Sequence, residues 1–234
     1  MNLPKLETPK YQLTVPSTKK QSNFRPFLVK EEKILLIAQE TGEEGNMIRA
    51  MRDIIISCTF GEIDAKDLTS FDLEYIFLKI RAKSVGEVAD IGVKCSECET
   101  TNELKIDLDK VSLTKTKSLP KKIELTDTIG IIPQYVKLDD MIEMAGIKDQ
   151  GLLFTKTIAA TVQSIYDDTN VYPLSEASEE DTKEFIDSLN REQMEKIEKV
   201  FNTTPKLEEK ISFTCSGCAA ENNRTLSGIE SFFV

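Results

Sequence analysis

Two stretches of this chain repeat one pattern. The first is Val93-Lys94-Cys95-Ser96-Glu97-Cys98 and the second is Phe213-Thr214-Cys215-Ser216-Gly217-Cys218. Each is a Cys-x-x-Cys turn set among alternating apolar residues. Ile91 and Val93 precede the first turn, and Leu104, Ile106 and Leu108 follow it. Ile211 and Phe213 precede the second, and Leu226 follows it. A period of two marks a half-buried strand, so each stretch reads as strand, knuckle, strand. Two knuckles supply four thiolates, the number that a tetrahedral structural zinc site takes. The expectation is that Cys95, Cys98, Cys215 and Cys218 bind one Zn²⁺ and join distant parts of the chain.

Three other uses of these cysteines compete. Two disulfides would suit a secreted protein, but no secretory signal is evident and the fifth cysteine, Cys58, has no obvious partner. A thioredoxin-like redox pair needs a helix after the Cys-x-x-Cys, whereas a polar turn and a strand follow here. A degenerate ribbon that has lost its metal is the main competitor, because more than a hundred residues separate Cys98 from Cys215. Compact zinc ribbons have roughly 15–20 between knuckles. Thermodynamics tolerates the longer insertion, since each doubling of a closed loop costs only ~0.6 kcal/mol. A shell of four sulfurs is closed, which argues against an activated water and so against zinc catalysis.

Composition narrows the rest. Asp and Glu outnumber Lys and Arg by 40 to 30, a net charge of −10, which disfavours a bulk electrostatic grip on nucleic acid. Histidine is absent from all 234 residues, which removes the commonest general base and any Ser-His-Asp or Cys-His site. No apolar run approaches the ~20 residues of a membrane span.

The expected fold is α+β: an N-terminal helical unit, then a zinc-ribbon-like β domain with a long helical insertion. Residues 1–24 read as an extended arm, 25–86 as the helical unit, and 87–234 as the ribbon domain, with its insertion at about 138–202. Val29 to Thr41 reads as a helix ending at Gly42. Its Ile34-Leu35-Leu36-Ile37-Ala38 run is apolar nearly all round, which predicts a central position. A second helix spans about Asn46 to Cys58 and buries Cys58 as a small apolar residue. A third starts at Thr69 or Ser70, with Asp72 completing a capping-box-like start. Strands are expected at Val88–Lys94, Glu103–Leu108, Ile123–Leu125 and Ile131–Val136. Between them lies a basic linker with Lys110, Lys115, Lys117, Lys121 and Lys122. Helices follow at Leu138–Ala145, Gly151–Ile165, from Ser178 to about Leu189, and Arg191–Phe201. Ile165 and Tyr166 should pair with Val171 and Tyr172 around an acidic turn that lacks EF-hand spacing. Phe232, Phe233 and Val234 either dock on the core or fit a neighbouring subunit.

Two longer stretches carry a family resemblance. Phe24-Arg25-Pro26-Phe27-Leu28-Val29-Lys30-Glu31-Glu32-Lys33-Ile34-Leu35-Leu36 resembles the opening motif of the baseplate hub proteins of T-even-type contractile-tailed phages. The stretch from Phe71 to Glu87, FDLEYIFLKIRAKSVGE, resembles their second motif, and the Cys-x-x-Cys strand pair follows it. The resemblance covers most of the chain from Phe24 on. It implies a component of the tail baseplate hub, or a factor that assembles the hub, and it supplies no catalytic residues. Other hub proteins are then the expected partners, with no small-molecule substrate and no membrane. The host cytoplasm during assembly and the virion tail baseplate are the expected locations.

On that reading Arg25, Phe27, Lys30, Arg81 and Lys83 are candidates for a partner-binding face, with Phe232 and Phe233 at the C-terminal end. Replacing both terminal phenylalanines by Ser is expected to leave the monomer folded and impair assembly. The competing function is a zinc-ribbon nucleic-acid-binding or transcription factor, which would need a basic, aromatic-bearing face. A zinc deaminase is disfavoured because neither Cys-x-x-Cys is preceded by Pro.

Overall fold

The computed structural model describes residues 6–116 and 118–232. It divides into two compact units, Met1–Thr114 with Lys206–Val234, and Lys115–Pro205. In chain order the first unit contains β1 (Tyr11–Thr14), β2 (Gln21–Phe24), α1 (Val29–Thr41), α2 (Glu44–Cys58), α3 (Ser70–Val85), β3 (Val88–Lys94), β4 (Thr101–Asp107) and β5 (Ser112–Leu113). The second unit contains β6 (Ile123–Glu124), β7 (Gly130–Pro133), α4 (Leu138–Met144), α5 (Gln150–Ala160), β8 (Val162–Tyr166), β9 (Val171–Pro173), α6 (Glu179–Asp187) and α7 (Arg191–Thr203). The chain then returns to the first unit with β10 (Leu207–Thr214), β11 (Glu221–Ser227) and a short 3-10 turn, Ile229–Phe232. The architecture is mixed α+β with small antiparallel sheets.

The first unit is built around α3. Phe71, Leu73, Ile76, Phe77, Leu78 and Ile80 are all buried along it. At its start the Thr69 N–H donates to Asp72 Oδ2 at 3.1 Å, and Asp72 Oδ1 accepts the Ser17 N–H at 2.9 Å. The cap therefore also ties down the β1–β2 turn. One turn further on, burial pushes the Glu74 carboxyl upward, and the backbone N–H groups of Ile229 and Leu207 beside it act to lower it. Lys79 Nζ donates to the carbonyls of Leu108 at 3.1 Å and Asp109 at 2.9 Å. One helix thus fixes the exit from β4, the entry to β10 and the C-terminal turn.

Several expectations change here. Residues 11–24 are a hairpin rather than an extended arm. The Tyr11 and Phe24 rings lie 5.5 Å apart, and Leu13, Val15 and Phe24 are buried. Residues 1–5 of the expected arm lie outside the described residues, as does Lys117 of the basic linker. The helix α1 is not central. Only Glu31 and Ala38 are buried on it, while Val29, Ile34, Leu36 and Ile37 are exposed, Val29 and Ile37 by 66% and 63%. Its inward stripe is short because Glu31 occupies it, and α2 and α3 supply the apolar core.

The second unit has a four-stranded sheet in the order β6-β7-β8-β9. Leu125, Ile131, Ile158, Val162, Ile186 and Ile197 form its core. The strands β6 and β7 belong to this sheet, so the inserted section begins at Lys115 rather than near 138. The helix expected over Gly151–Ile165 stops at Ala160. Thr161 Oγ1 bonds back to the Ile158 carbonyl at 2.7 Å, and Val162 to Tyr166 pair with β7 as β8. The pairing of Ile165 with Tyr172 and of Tyr166 with Val171 is as expected. In the acidic turn between them, Asp167 accepts the N–H groups of Thr169 and Asn170, then the Tyr172 and Thr169 hydroxyls, which bring it down to about 2. An open groove of about 1110 Å³ lies beside α5, crossed by Lys156, which bonds Glu143 at 3.0 Å and Glu179 at 2.7 Å.

The chain leaves and re-enters the first unit at one place. The Thr114 N–H donates to the Lys206 carbonyl at 2.8 Å, and the Lys206 N–H donates to Thr114 Oγ1 at 3.0 Å.

Candidate metal centre

Each knuckle is the turn of a hairpin. In the first, β3 and β4 pair from Val88↔Asp107 to Lys94↔Thr101; in the second, β10 and β11 pair from Glu208↔Ser227 to Thr214↔Glu221. The turns close identically. The Cys95 N–H donates to the Thr100 carbonyl at 3.0 Å and the Cys215 N–H to the Ala220 carbonyl at 2.9 Å. The residue after the second cysteine takes the left-handed conformation in both, with φ of 57° at Glu99 and 60° at Ala219.

The two hairpins bring the four sulfurs together. All four lie within 4.8 Å of one another. Across the knuckles, Cys95 Sγ is 3.7 Å from Cys218 Sγ and Cys98 Sγ is 3.6 Å from Cys215 Sγ. A tetrahedron with metal–sulfur bonds of ~2.3 Å has edges of about 3.8 Å, so the cluster is close enough and of the right chemistry to hold one metal ion. All five cysteines, Cys58 included, are free thiols.

Two asparagines brace the cluster, and the sequence reading missed both. Asn102 Oδ1 accepts the Ser216 N–H at 2.8 Å and the Ser216 hydroxyl at 2.9 Å, while its Nδ2 points at Cys215 Sγ, 3.7 Å away. Asn222 does the same in return. Its Oδ1 accepts the Ser96 N–H and hydroxyl, each at 2.9 Å, and its Nδ2 donates to Cys95 Sγ at 3.4 Å. Both side chains are buried. The arrangement is a local two-fold: each knuckle's asparagine orients the other knuckle's first cysteine. The signal was present as a repeat, Cys-Ser-x-Cys-x-x-x-Asn, in both knuckles. The knuckles differ between their cysteines at one position, Glu97 in the first and Gly217 in the second. A Cβ on Gly217 would come within 2.7 Å of Thr100 Oγ1, so this side of the second turn has room only for glycine.

Backbone donors also prepare the sulfurs for a cation. The Glu97 N–H lies 3.4 Å from Cys95 Sγ and the Gly217 N–H 3.3 Å from Cys215 Sγ. The Cys218 N–H pulls the Cys215 thiol down, burial resists, and Gly217, Asn102 and Cys98 bring it to about 6. The Glu97 N–H likewise lowers Cys95. The Ala220 N–H draws Cys218 down, but the neighbouring Cys98, Cys95 and Cys215 sulfurs push it up to about 12. Sulfurs this crowded cannot all be anionic unless a positive charge sits among them, and a metal ion held by the four would supply it. An ion held by all four would have no open coordination position, so the arrangement suits stapling rather than reaction.

Cys58 stands apart from this group. It is fully buried at the end of α2, and burial raises its thiol to about 11.

The expected partner-binding residues divide. Arg25 is buried and committed within its own unit. Its Nη2 lies 2.9 Å from Glu31 Oε1 and 3.1 Å from Ser57 Oγ, and the Glu31 bond raises its pKa. Burial acts to raise Glu31, but Arg25, the Leu28 N–H, Ser57 and Lys30 outweigh it and hold the carboxyl at about 2. Arg25 is therefore a correction: a charge this enclosed does not form part of an open face. Phe232 is a second correction. It is fully buried, and Ile229 is buried too, because the C-terminal turn packs against α3 and β11 of its own unit. Phe233 lies outside the described residues. Phe27 is half-buried and its N–H donates to Ser84 Oγ at 2.9 Å. Lys30 is exposed. Lys83 bonds Glu87 and Asp109, the latter at 2.9 Å, and both raise its pKa. Arg81 is half-buried, and burial lowers its pKa.

Among the described residues no helix is long and apolar enough to cross a membrane. The family model described as T4 bacteriophage base plate protein matches residues 8–234. Neither a curated protein nor a solved structure matches the chain.

Proposed function

The chain belongs to the T4 bacteriophage base plate protein family, and from that premise we propose that it is a non-enzymatic hub protein of the contractile tail, built into the hub or required to assemble it. The observation that carries this reading is the family match over residues 8–234, which takes in both units. The chemistry of the first unit supports it. Its cluster of reactive side chains is a closed set of sulfurs, and such a set makes a rigid body that can present surfaces to other tail proteins. Its working contacts are then protein–protein contacts with other hub subunits, formed in the host cytoplasm before the tail is complete.

The metal we assign is a single structural Zn²⁺ on Cys95, Cys98, Cys215 and Cys218. A tetrahedral four-sulfur set suits zinc or iron, and metal analysis separates the two. The reading predicts one zinc per chain in purified protein, lost when Cys215 and Cys218 are both changed to Ser. Pull-down of a tagged copy from infected cells tests the larger claim. Recovery of tail hub proteins supports it. Recovery of none, with complete baseplates still formed when the protein is depleted, removes it.

A further inference from the structure

The helix α1 presents an outward face that its own unit does not cover. Its inward stripe is Glu31 and Ala38, both buried, with half-buried Leu35 between them, at spacings of four and three. Directly opposite, at spacings of four, three, one and three, run Val29, Lys33, Leu36, Ile37 and Glu40, all exposed. Leu36 and Ile37 are 54% and 63% exposed, in the middle of the helix. Large aliphatic side chains left this open on one short helix mark a surface that is covered in the assembled state.

We propose that α1 is the contact face of a homodimer in which two copies of the helix run antiparallel. The charges around the apolar centre select this occupant and this orientation. With a two-fold axis between positions 36 and 37, Leu36 meets the partner's Ile37 and Lys33 meets the partner's Glu40. Every acid–base pair then occurs twice by symmetry, as an isologous interface requires. A parallel, in-register pair would instead set Lys33 against the partner's Lys33 and Glu40 against the partner's Glu40, so the same residues repel that alternative. Lys33 and Glu40 are both exposed and so are available for this pairing. The face extends past the helix start. The Phe27 N–H bond to Ser84 sets the beginning of α1 against the end of α3, where Leu28, Val85 and Val88 are also exposed. The proposal does not depend on the baseplate reading.

Two helices of this length make a small interface, so the association belongs at the weak end of specific dimers and is read by concentration. Analytical ultracentrifugation of the full-length, metal-loaded protein, from about 1 µM to about 200 µM, spans that range. The expected result is a reversible shift from the 26.4 kDa chain to twice that mass. Leu36→Asp with Ile37→Asp should hold the protein monomeric with an unchanged thermal melt, since neither side chain is buried in the monomer. Lys33→Glu alone and Glu40→Lys alone should each weaken the dimer about tenfold or more, because each places like charges opposite one another twice. Lys33→Glu combined with Glu40→Lys should restore it to within about threefold of the original. A wild-type protein that stays monomeric throughout would overturn the proposal, and α1 would then serve a different protein. A dimer indifferent to the Leu36 and Ile37 changes, or a double charge swap as weak as the single ones, would overturn it equally.

Discussion

Asn102 and Asn222 hold each other's knuckle. Asn102 on β4 receives the Ser216 N–H at 2.8 Å, and Asn222 on β11 receives the Ser96 N–H at 2.9 Å. Neither hairpin is therefore complete alone, because the group that orients its first cysteine comes from a strand more than a hundred residues away in sequence.

Changing either asparagine to Ala should loosen the metal by about 10- to 100-fold, the usual cost of losing a group that orients a ligand. The two-fold relation makes the effects of Asn102→Ala and Asn222→Ala similar in size. Competition for zinc against a chromophoric chelator measures both. A large loss in one variant and none in the other would show that the two braces are not equivalent.

The thiols should report in two classes. Metal-loaded native protein should react slowly with a thiol reagent near pH 8. Chelation should release Cys95, Cys98, Cys215 and Cys218, and only denaturation should expose Cys58, which is fully buried with its thiol raised to about 11. The expected count is four after chelation and five after unfolding. Early reaction of a fifth thiol would mean that α2 opens readily.

Arg25→Ala should destabilise the first unit by about 3–5 kcal/mol, because it leaves the Glu31 carboxylate enclosed without its partner. The pair also sets an acid response. Glu31 is held at about 2, below its ordinary value of 4.5, so its contribution is whole above about pH 4.5 and fades as pH falls toward 2. Glu31→Gln should flatten that part of the profile of thermal stability against pH. An unchanged slope between pH 4.5 and 2 in this variant would assign the acid response to other groups.

Phe232→Ala should cost about 3–5 kcal/mol and lower the melting temperature of the isolated protein, since the ring is fully buried. This outcome is opposite to the one drawn from the sequence, in which a terminal Phe-Phe pair reaches a neighbour and leaves the monomer intact. A melt identical to that of the unmodified chain would return Phe232 to that role.

The knuckles were legible because two independent signals coincide there. The cysteine spacing names the ligands, and the alternation of Ile91 and Val93, or Ile211 and Phe213, names the strands that carry them. Their meeting across the insertion was inferred only by counting sulfurs. Asn102 and Asn222 escaped notice because an amide has no chemistry of its own, and it stands out only when the two knuckles are laid one over the other. The helix α1 misled for a different reason. An all-round apolar segment says that something covers it, and nothing in local sequence says whether the cover belongs to the same chain. The end of α5 was lost because Ile158, Thr161 and Ile165 fit a helical stripe equally well. What decides against the helix is non-local: Val162 to Tyr166 pair with β7, some thirty residues earlier in the chain.

The two hydrogen bonds between Thr114 and Lys206 would change how the chain bears load. Tension entering through early and late residues would run across this stem and leave positions 115–205 slack, like the eye of a knotted cord. A shortened or exchanged loop spliced between the same two residues would face little mechanical objection from the portion that carries the cysteines.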